Sequence, residues 1–267
     1  MTTTTPHRQP PPQTRGFPPA IPGRHTARVA VVTGGARGIG AGIVERLSAE
    51  GADVTFTYAS ARSDADALVS HIAEAGGRAT AIEADSSDRA QLRTVIDGVT
   101  TRTGGLDIVV SNAGSGVIRP VLELTDDEID QMIDLNIGGT LDTIRFSVPH
   151  LRHGGRVITI GSVSAHHFPN DSTSLYGMTK GAVASLVRGM SRELGPRGIT
   201  INNVQPGPVD TPANPASGPT GDTLRSTIPV GRFGTAAEVA SLVSHIASEE
   251  GAYINGASLD IDGGYSA

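Results

Sequence analysis

Short apolar runs alternate with helical segments along most of this chain, and this alternation restricts the fold more than any other feature. The runs at 28–32, 54–58, 79–83, 106–111, 156–161, 200–204 and 257–261 are predicted strands, with helical segments between them. Short strands that are apolar throughout are typical of a parallel sheet covered on both faces. We therefore expect a single α/β domain with a doubly wound, seven-stranded parallel sheet and helices on both faces.

Two of the helices have clear start signals. Thr125-Asp126-Asp127-Glu128 and Thr235-Ala236-Ala237-Glu238 are capping boxes, in which Thr and Glu side chains pair with free backbone N–H groups. The first predicts a long helix to about residue 148, and the second predicts a helix to about residue 248.

The first 27 residues differ in composition from the rest of the 267-residue chain. They hold seven of the 17 prolines and four consecutive threonines, and they contain no acidic residue. Such a segment cannot bury enough apolar surface to order itself. We expect a disordered extension at 1–27 and one Rossmann-type domain at 28–267, with an organelle transit peptide as the alternative for the extension.

Charge and composition exclude several classes of function. A formal net charge of −6 argues against a nucleic-acid-binding protein. The absence of cysteine excludes a disulfide framework, a thiolate nucleophile and a zinc–thiolate site. His166 and His167 are adjacent, and His150-x-x-His153 lacks a third ligand, so we expect no metal site. No apolar run is long enough to span a membrane, and we expect a soluble, cytoplasmic protein.

A glycine-rich loop follows the first predicted strand and precedes a helical run. It reads Thr33-Gly34-Gly35-Ala36-Arg37-Gly38-Ile39-Gly40. Gly34, Gly38 and Gly40 permit a tight turn and a close approach of the backbone to a pyrophosphate, to which the helix N-terminus presents free N–H groups. Because ligands bind at the carboxyl ends of the strands in such sheets, the loop predicts a dinucleotide site.

The end of the second strand indicates which dinucleotide is bound. NAD sites usually have an acidic residue there, but this chain reads Tyr58-Ala59-Ser60-Ala61-Arg62. Asp53 begins the strand and so lies at the opposite end of the sheet. Arg37 and Arg62 could bind a 2′-phosphate, because guanidinium matches phosphate oxygens. We expect NADPH rather than NADH; the alternative is that both arginines are ordinary solvated surface residues.

Tyr176 and Lys180 are four residues apart in a predicted helix, so they share one helix face. An ammonium beside a phenol favours the ionised phenol, which can then exchange a proton with a carbonyl oxygen or an alcohol. The spacing alone is a weak signal, since a surface Tyr and Lys can share a face by chance.

Further motifs accompany this pair, and in their order they carry a resemblance to a known family. They are Thr33-Gly34-x-x-x-Gly38-x-Gly40, Asn112-Ala113-Gly114, Asn136, Ser162, Tyr176-x-x-x-Lys180 and Pro206-Gly207. From about residue 28 onwards the chain resembles the short-chain dehydrogenases/reductases, and above all 3-oxoacyl-carrier-protein reductases and related ketoreductases. The C-terminal segments 229–234 and 259–264 resemble theirs. The resemblance implies a Rossmann fold and a carbonyl/alcohol oxidoreductase.

The resemblance also implies a role for each matching residue. Tyr176 would be the general acid in reduction, Lys180 would assist it and bind the nicotinamide ribose, and Ser162 would bind the substrate carbonyl. Asn136 would hold a water that links Lys180 to solvent. Together with the residues derived above, the expected cofactor-binding set is Gly34, Arg37, Gly38, Ile39, Gly40, Tyr58, Ser60, Arg62, Asp85, Ser86, Asn112, Ala113, Gly114, Tyr176, Lys180, Pro206, Gly207, Val209 and Thr211.

The substrate-facing segments are the least informative. Residues 163–173 should line the pocket, and 210–227 has the composition of a lid loop. His166 and His167 could bind a polar or anionic group, although loop histidines often have no such role. Arg197 matches a basic residue that carrier-protein reductases use to dock their acidic partner, whereas His153 stands where another Arg is common. A carrier-bound substrate is therefore left open.

Three functions remain compatible with the sequence. The first is an NADPH-dependent ketoreductase for a 3-oxoacyl substrate, and the second is a tailoring reductase for an aromatic polyketide or other secondary metabolite. The third is a non-catalytic or dual-role nucleotide-binding protein, because 204–215 resembles a segment of a bacterial reductase-fold protein linked to cyclic-di-GMP binding and biofilm dispersal. The family pairs the helix after Tyr176 and the Asn136 helix between subunits, so we expect a homotetramer or a dimer.

Overall fold

The computed structural model describes residues 19–169 and 172–267. Its strands are β1 (Val29–Val32), β2 (Asp53–Tyr58), β3 (Arg78–Glu83), β4 (Leu106–Ser111), β5 (Leu151–Ile160), β6 (Thr200–Pro206), β7 (Val209–Asp210), β8 (Gly234–Thr235) and β9 (Ser258–Ile261). Its α-helices are α1 (Gly38–Ala49), α2 (Arg62–Glu74), α3 (Arg89–Thr103), α4 (Asp126–Ile133), α5 (Thr140–Ser147), α6 (Ser174–Leu194), α7 (Pro219–Thr227) and α8 (Ala236–Ala247). A π-helical segment, Asp134–Gly139, joins α4 to α5.

Seven of these strands form one sheet in the described part of the chain, in the order β3-β2-β1-β4-β5-β6-β9. Every neighbouring pair is parallel. The chain runs outwards from β1 to β3, crosses back to β4 and continues to β9, so the strand order reverses between β1 and β4. The predicted α/β class and the doubly wound, seven-stranded parallel sheet are confirmed.

Residues of β1 alternate between two hydrophobic cores, one on each face of the sheet. Ala30 and Val32 belong to the core under α1, α2 and α8, whereas Val29 and Val31 belong to the core under α3, α5 and α6. Side chains of a strand point to opposite faces in turn. β1 is buried on both faces, and this explains why its run is apolar at every position.

The helix predicted from residue 125 to about 148 is interrupted by the π-helical segment 134–139. Both predicted capping boxes are present, with Thr125 capping α4 and Thr235 capping α8. β5 begins at Leu151 rather than at 156, and part of the predicted lid loop forms helix α7. The seven predicted strands form the main sheet, whereas β7 and β8, which were not predicted, pair with each other as a separate two-stranded sheet.

The predicted disordered extension lies largely outside the described residues, which begin at 19. Its last part, residues 21–27, packs against the ends of α1 and α8, and we call it the N-terminal strap. His25 of the strap is completely buried, with its Nε2 3.2 Å from Ser244 Oγ and 3.4 Å from a Glu50 carboxylate oxygen. The Ile21 N–H donates to the other Glu50 oxygen at 2.9 Å. For these residues the structure differs from the expectation of disorder, because buried polar contacts fix them.

Candidate active site

The carboxyl ends of β1, β4, β5 and β6 lie side by side at one edge of the sheet. The glycine loop follows β1, Asn112 follows β4, Ser162 follows β5 and Pro206 ends β6. Segments that are far apart in sequence therefore meet where the strand order reverses. This is the place where sheets of this topology bind their ligands.

The glycine loop is fixed by its contacts with Asn112. The Asn112 Nδ2 donates to the backbone oxygen of Thr33 at 3.0 Å and to that of Gly34 at 2.9 Å. Gly34 and Gly38 have φ angles of +64° and +56°, which residues with a Cβ rarely adopt. A Cβ on Gly40 would overlap the Gly34 carbonyl oxygen. The side chain of Asn112 thus maintains the loop, a role that the sequence did not indicate.

The N-terminus of α1 has no side-chain cap. Its N-cap residue, Arg37, makes no capping hydrogen bond. Helices α2, α6 and α7 also lack a side-chain cap, whereas α3, α4 and α8 are capped by Asp88, Thr125 and Thr235. An uncapped start leaves backbone N–H donors free, and together with the helix dipole such donors bind anions. The first turn of α1, residues 38–40, can therefore receive a pyrophosphate.

The two arginines expected at the 2′-phosphate site are exposed, and each faces a carboxylate. Arg62 donates to Glu83 at 2.6 Å, and Arg37 lies 3.7 Å from Asp64. The hydrogen bond to Glu83 raises the pKa of Arg62. Glu83 is the last residue of β3 and lies directly beside Tyr58, the last residue of β2. The sequence at the end of β2 does not indicate this acidic neighbour. A guanidinium has five N–H donors, so a bound carboxylate leaves others for a phosphate.

Helix α6 presents Tyr176 and Lys180 on one face, as their spacing predicted. Lys180 is 6% exposed, and its Nζ donates to the Ile160 carbonyl at 3.0 Å and lies 5.6 Å from the centre of the Tyr176 ring. The loop after β4 packs on both residues. A Cβ on Gly114 would lie 3.3 Å from Lys180 Nζ, and one on Gly116 would lie 3.0 Å from Tyr176 Cδ2. A buried ammonium thus stands beside a partly exposed phenol.

Asn136 is buried in the π-helical segment, next to this pair. Its Nδ2 donates to the Ser115 carbonyl at 2.9 Å and to Thr179 Oγ1 at 3.0 Å, and its Oδ1 accepts from the Ser115 N–H at 2.9 Å. The side chain therefore connects the loop after β4 to α6. Single π-helical turns are frequent at functional sites. The structure brings Asn136 to the predicted site, with its amide group fully engaged by protein atoms.

Ser162 is nearly buried in a turn after β5, at 8% exposure. Its Oγ accepts a hydrogen bond from the Ser164 N–H at 3.1 Å, which leaves its own O–H able to donate. A Cβ on Gly177 would lie 2.6 Å from the Ser164 carbonyl oxygen. The turn with Ser162 and the helix with Tyr176 are therefore in direct contact.

Of the other expected cofactor residues, Thr211 and Ala113 pack against the glycine loop. Thr211 Cγ2 lies 3.4 Å from where a Cβ on Gly38 would be, and Ala113 Cα lies 3.0 Å from the equivalent position on Gly34. After β3, Asp85 is exposed and accepts from the Ser87 N–H at 2.8 Å. Ser86, Val209 and Pro206 are buried, Gly207 and Ile39 are half-buried, and Ser60 is exposed.

The side chains considered for substrate or carrier binding are engaged within the protein. Arg197 donates to the Val148 carbonyl at 3.0 Å, and the His153 ring packs over Gly198. The rings of the two loop histidines contact Gln205 and Tyr265 respectively. Arg197 is nevertheless exposed and, like Arg62, keeps further N–H donors, so carrier docking stays a prediction.

Across residues 19–169 and 172–267, no group of three or more His, Cys, Asp or Glu side chains could hold a metal ion. Within the same ranges, none of the helices combines the length and the apolarity needed to cross a membrane.

Comparisons with known proteins agree with this geometry. The family described as enoyl-(acyl carrier protein) reductase matches residues 34–266. A cyclic-di-GMP-binding biofilm dispersal mediator protein from Escherichia coli strain K12 is 42% identical over 245 residues, which cover 92% of this chain and 100% of the relative. A solved short-chain dehydrogenase/reductase from Serratia marcescens is 44% identical with a TM-score of 0.90. A short-chain dehydrogenase from Burkholderia cenocepacia, in complex with NADP, is 43% identical with a TM-score of 0.89. Both matches cover 91% of this chain and 100% of the solved one. The chain belongs to the short-chain dehydrogenase/reductase family of oxidoreductases.

Proposed function

We propose that this protein is an NADPH-dependent ketoreductase that uses Tyr176 as its proton donor. The observation that carries the proposal is the convergence of separate elements on one place. Helix α6 with Tyr176 and Lys180, the loop after β4, the π-helical segment with Asn136 and the turn with Ser162 are all in contact there. The resemblance implies a substrate of the 3-oxoacyl class or a cyclic or polyketide ketone.

The glycine loop and its surroundings fit a dinucleotide phosphate. The positive-φ glycines and the uncapped start of α1 offer backbone donors to the pyrophosphate. Arg37 and Arg62 would hold the 2′-phosphate. The nicotinamide would be bordered by Pro206, Gly207, Val209 and Thr211, and Ala113 would lie along the cofactor. NADPH, when bound, supplies the hydride that reduces the carbonyl carbon. The NADP complex of the Burkholderia relative supports this assignment.

Two O–H donors would act on the substrate oxygen. Tyr176 would transfer its proton to that oxygen, and the buried Lys180 would stabilise the phenolate that remains, since an ammonium nearby favours the anion. Ser162 would donate its O–H to the same oxygen, because its Oγ already accepts from the Ser164 N–H. Donors fixed before the reaction stabilise the charge that develops on the oxygen.

Asn136 would serve proton resupply through its backbone. The resemblance implies a water between this residue and Lys180, but its side chain is occupied by Ser115 and Thr179. A π-helical turn changes the backbone hydrogen-bonding register. We therefore assign the water-binding role to the Asn136 main chain rather than to its amide side chain.

The test is consumption of NADPH by the purified protein with ethyl acetoacetate, other β-keto esters and cyclic ketones. Tyr176→Phe should lower kcat by about 10²- to 10⁴-fold, the range of general acid–base catalysis. Tyr253→Phe is the matched control, because Tyr253 is fully exposed. Equal rates for wild type and Tyr176→Phe would refute the proposal.

A non-catalytic or dual-role nucleotide-binding protein is the second candidate. It is favoured by the Escherichia coli relative, whose name includes cyclic-di-GMP binding, and by the exposed guanidinium groups of Arg37 and Arg62. Calorimetric titrations with cyclic-di-GMP and with NADPH separate the two candidates. Tighter binding of cyclic-di-GMP, without reduction of any ketone in the panel, would replace the first proposal.

We also propose that the protein forms a homotetramer, with a dimer as the alternative. Leu141 on α5 and Met178 on α6 are 40% and 49% exposed, and the resemblance pairs these helices between subunits. Light scattering coupled to size-exclusion chromatography measures the mass directly, and a monomer at micromolar concentration would contradict the proposal.

A further inference from the structure

We propose that Gln205 is a positioning residue for Ser162, and that His166 fixes the orientation of the Gln205 amide. This inference rests on the proposed reductase function, because that function gives Ser162 its catalytic role. Gln205 is 2% exposed and precedes Pro206 in β6. Its Nε2 lies 3.0 Å from the Ser162 carbonyl oxygen and 3.1 Å from His166 Nδ1.

The neighbours of Gln205 determine which end of the amide carries the donors. Its Oε1 accepts from Asn203 Nδ2 at 3.2 Å. Its Nε2 has two N–H groups, one for the Ser162 carbonyl and one for His166. His166 Nδ1 must then be the acceptor, so the proton of the neutral ring is on Nε2, which lies 3.3 Å from an Asp260 carboxylate oxygen. The chain of contacts thus runs from β9 through His166 to the turn with Ser162.

A polar side chain at this position needs a physical reason. A buried amide with an unpaired atom destabilises the fold, whereas an apolar side chain of the same size would not. The Gln205 amide avoids that cost because both of its ends have partners. Those partners lie on separate parts of the fold: Asn203 on β6 itself, Ser162 after β5, and His166 in the following loop. The amide therefore connects β6 to the catalytic turn.

The hydrogen bonds of the Gln205 amide hold the turn formed by residues 162–165. The Ser162 carbonyl accepts from the Ala165 N–H at 3.0 Å as well as from Gln205, and the Ser162 Oγ accepts from the Ser164 N–H. A shift of the turn would move the Oγ away from the substrate oxygen. A misplacement of about 1 Å can lower a rate by about 10²-fold. Gln205 would act on the reaction in this way, without touching the substrate.

Gln205→Met removes the amide and keeps the size of the side chain. We expect kcat with NADPH and the best ketone of the panel to fall by about tenfold or more, as expected for a displaced catalytic group. The matched control is Asn202→Met on the same strand. The Asn202 side chain bonds to the Ile254 carbonyl at 2.6 Å and to the Ala257 N–H at 3.0 Å, away from Ser162. Asn202→Met should lower Tm and leave kcat unchanged.

A pair of substitutions at His166 tests the hydrogen-bond direction. In His166→Asn the side-chain Oδ1 can take the place of Nδ1 as acceptor, so kcat should stay near the wild-type value. In His166→Leu the acceptor is lost, so kcat should fall as in Gln205→Met. If His166 had only a structural role in the loop, His166→Asn and His166→Leu would not differ in kcat in this way.

Hydrogen–deuterium exchange of the peptide containing 161–169 provides a readout that needs no substrate. Faster exchange in Gln205→Met and His166→Leu, but not in His166→Asn, supports the proposal. The proposal would be overturned if Gln205→Met had the same exchange rate and the same kcat as the wild type. The kcat of Tyr176→Phe with NADPH and the same ketone separates a failure of the proposed function from a failure of the positioning role. If wild type and Tyr176→Phe reduce the ketone at equal rates, Tyr176 is not the proton donor and the proposed mechanism fails; if Tyr176→Phe is inactive while Gln205→Met has normal kcat and exchange, only the positioning role fails.

Discussion

Acid should destabilise this protein through one buried histidine of the N-terminal strap. His25 is completely buried, and burial lowers its pKa from 6.5 to about 4 against the opposing effect of the nearby Glu50 charge. The folded state therefore binds a proton on His25 only below about pH 4, whereas the unfolded chain binds it below about pH 6.5. Between these values protons favour the unfolded chain, so the free energy of unfolding falls as the pH falls.

The magnitude follows from the difference between the two pKa values. One pKa unit corresponds to about 1.4 kcal/mol, so acidification from pH 7 to pH 4 should remove about 3 kcal/mol of unfolding free energy. Glu50 acts in the same direction at lower pH. Burial raises the pKa of Glu50, but hydrogen bonds from Ser244, the Ile21 N–H and Arg46 outweigh burial and leave it lowered. Its contribution is present above its ordinary value of 4.5 and is lost as the pH falls through the lowered pKa.

The assay is urea unfolding at several pH values, followed by far-UV circular dichroism because the chain has no tryptophan. His25→Gln keeps a polar group near Ser244 and Glu50 but cannot titrate. Its loss of unfolding free energy between pH 7 and pH 4 should be about 3 kcal/mol smaller than that of the wild type. His245→Gln, an exposed histidine on α8, is the control and should follow the wild type. Parallel curves for wild type and His25→Gln would refute the reasoning.

Four further substitutions, one of them a control, test the cofactor site and the stability of the helices. Arg62→Ala should raise the Kd of NADPH by about tenfold to 10²-fold, the value of a charge-assisted hydrogen bond, with little change for NADH in parallel fluorescence titrations. Gly40→Ala should abolish NADPH binding by calorimetry, because its Cβ would overlap the Gly34 carbonyl. Gly98→Ala is its control; it meets open space within α3 and should raise stability by about 0.5–1 kcal/mol in urea unfolding. Thr235→Ala should lower the free energy of unfolding by about 1 kcal/mol through loss of the α8 cap, measured in the same way.

The features that the sequence predicted correctly are those set by local physics. Apolar runs identified the inner strands such as β1 because these are buried on both faces, and Thr125 and Thr235 marked helix starts because a capping box involves only neighbouring residues. The π-helical segment has no such local signal. It coincides with the hydrogen bonds of Asn136 to Ser115 and Thr179, which are 21 and 43 residues away.

The same distinction applies to the site and to the strap. The spacing of Tyr176 and Lys180 fixed their shared helix face, whereas Glu83 reaches Arg62 only through the register of β2 and β3. The proline- and threonine-rich composition before residue 28 favours disorder. It is overridden at His25, whose partner Ser244 is 219 residues away in the sequence. Local composition carries no information about a contact between residues so far apart in the sequence.

Helix α1 runs between the two regions that these experiments test, the proposed cofactor site and the contacts of the N-terminal strap. Its N-terminus, at residues 38–40, is the proposed pyrophosphate site, and its C-terminus leads directly into Glu50, which holds the strap. The helix crosses the sheet from the carboxyl ends of the strands to their amino ends. The contacts of His25 and the proposed catalytic groups therefore lie at opposite ends of the domain. Because of this separation, protonation of His25 should act on folding alone, and above pH 5 the pH dependence of kcat should be the same in wild type and His25→Gln.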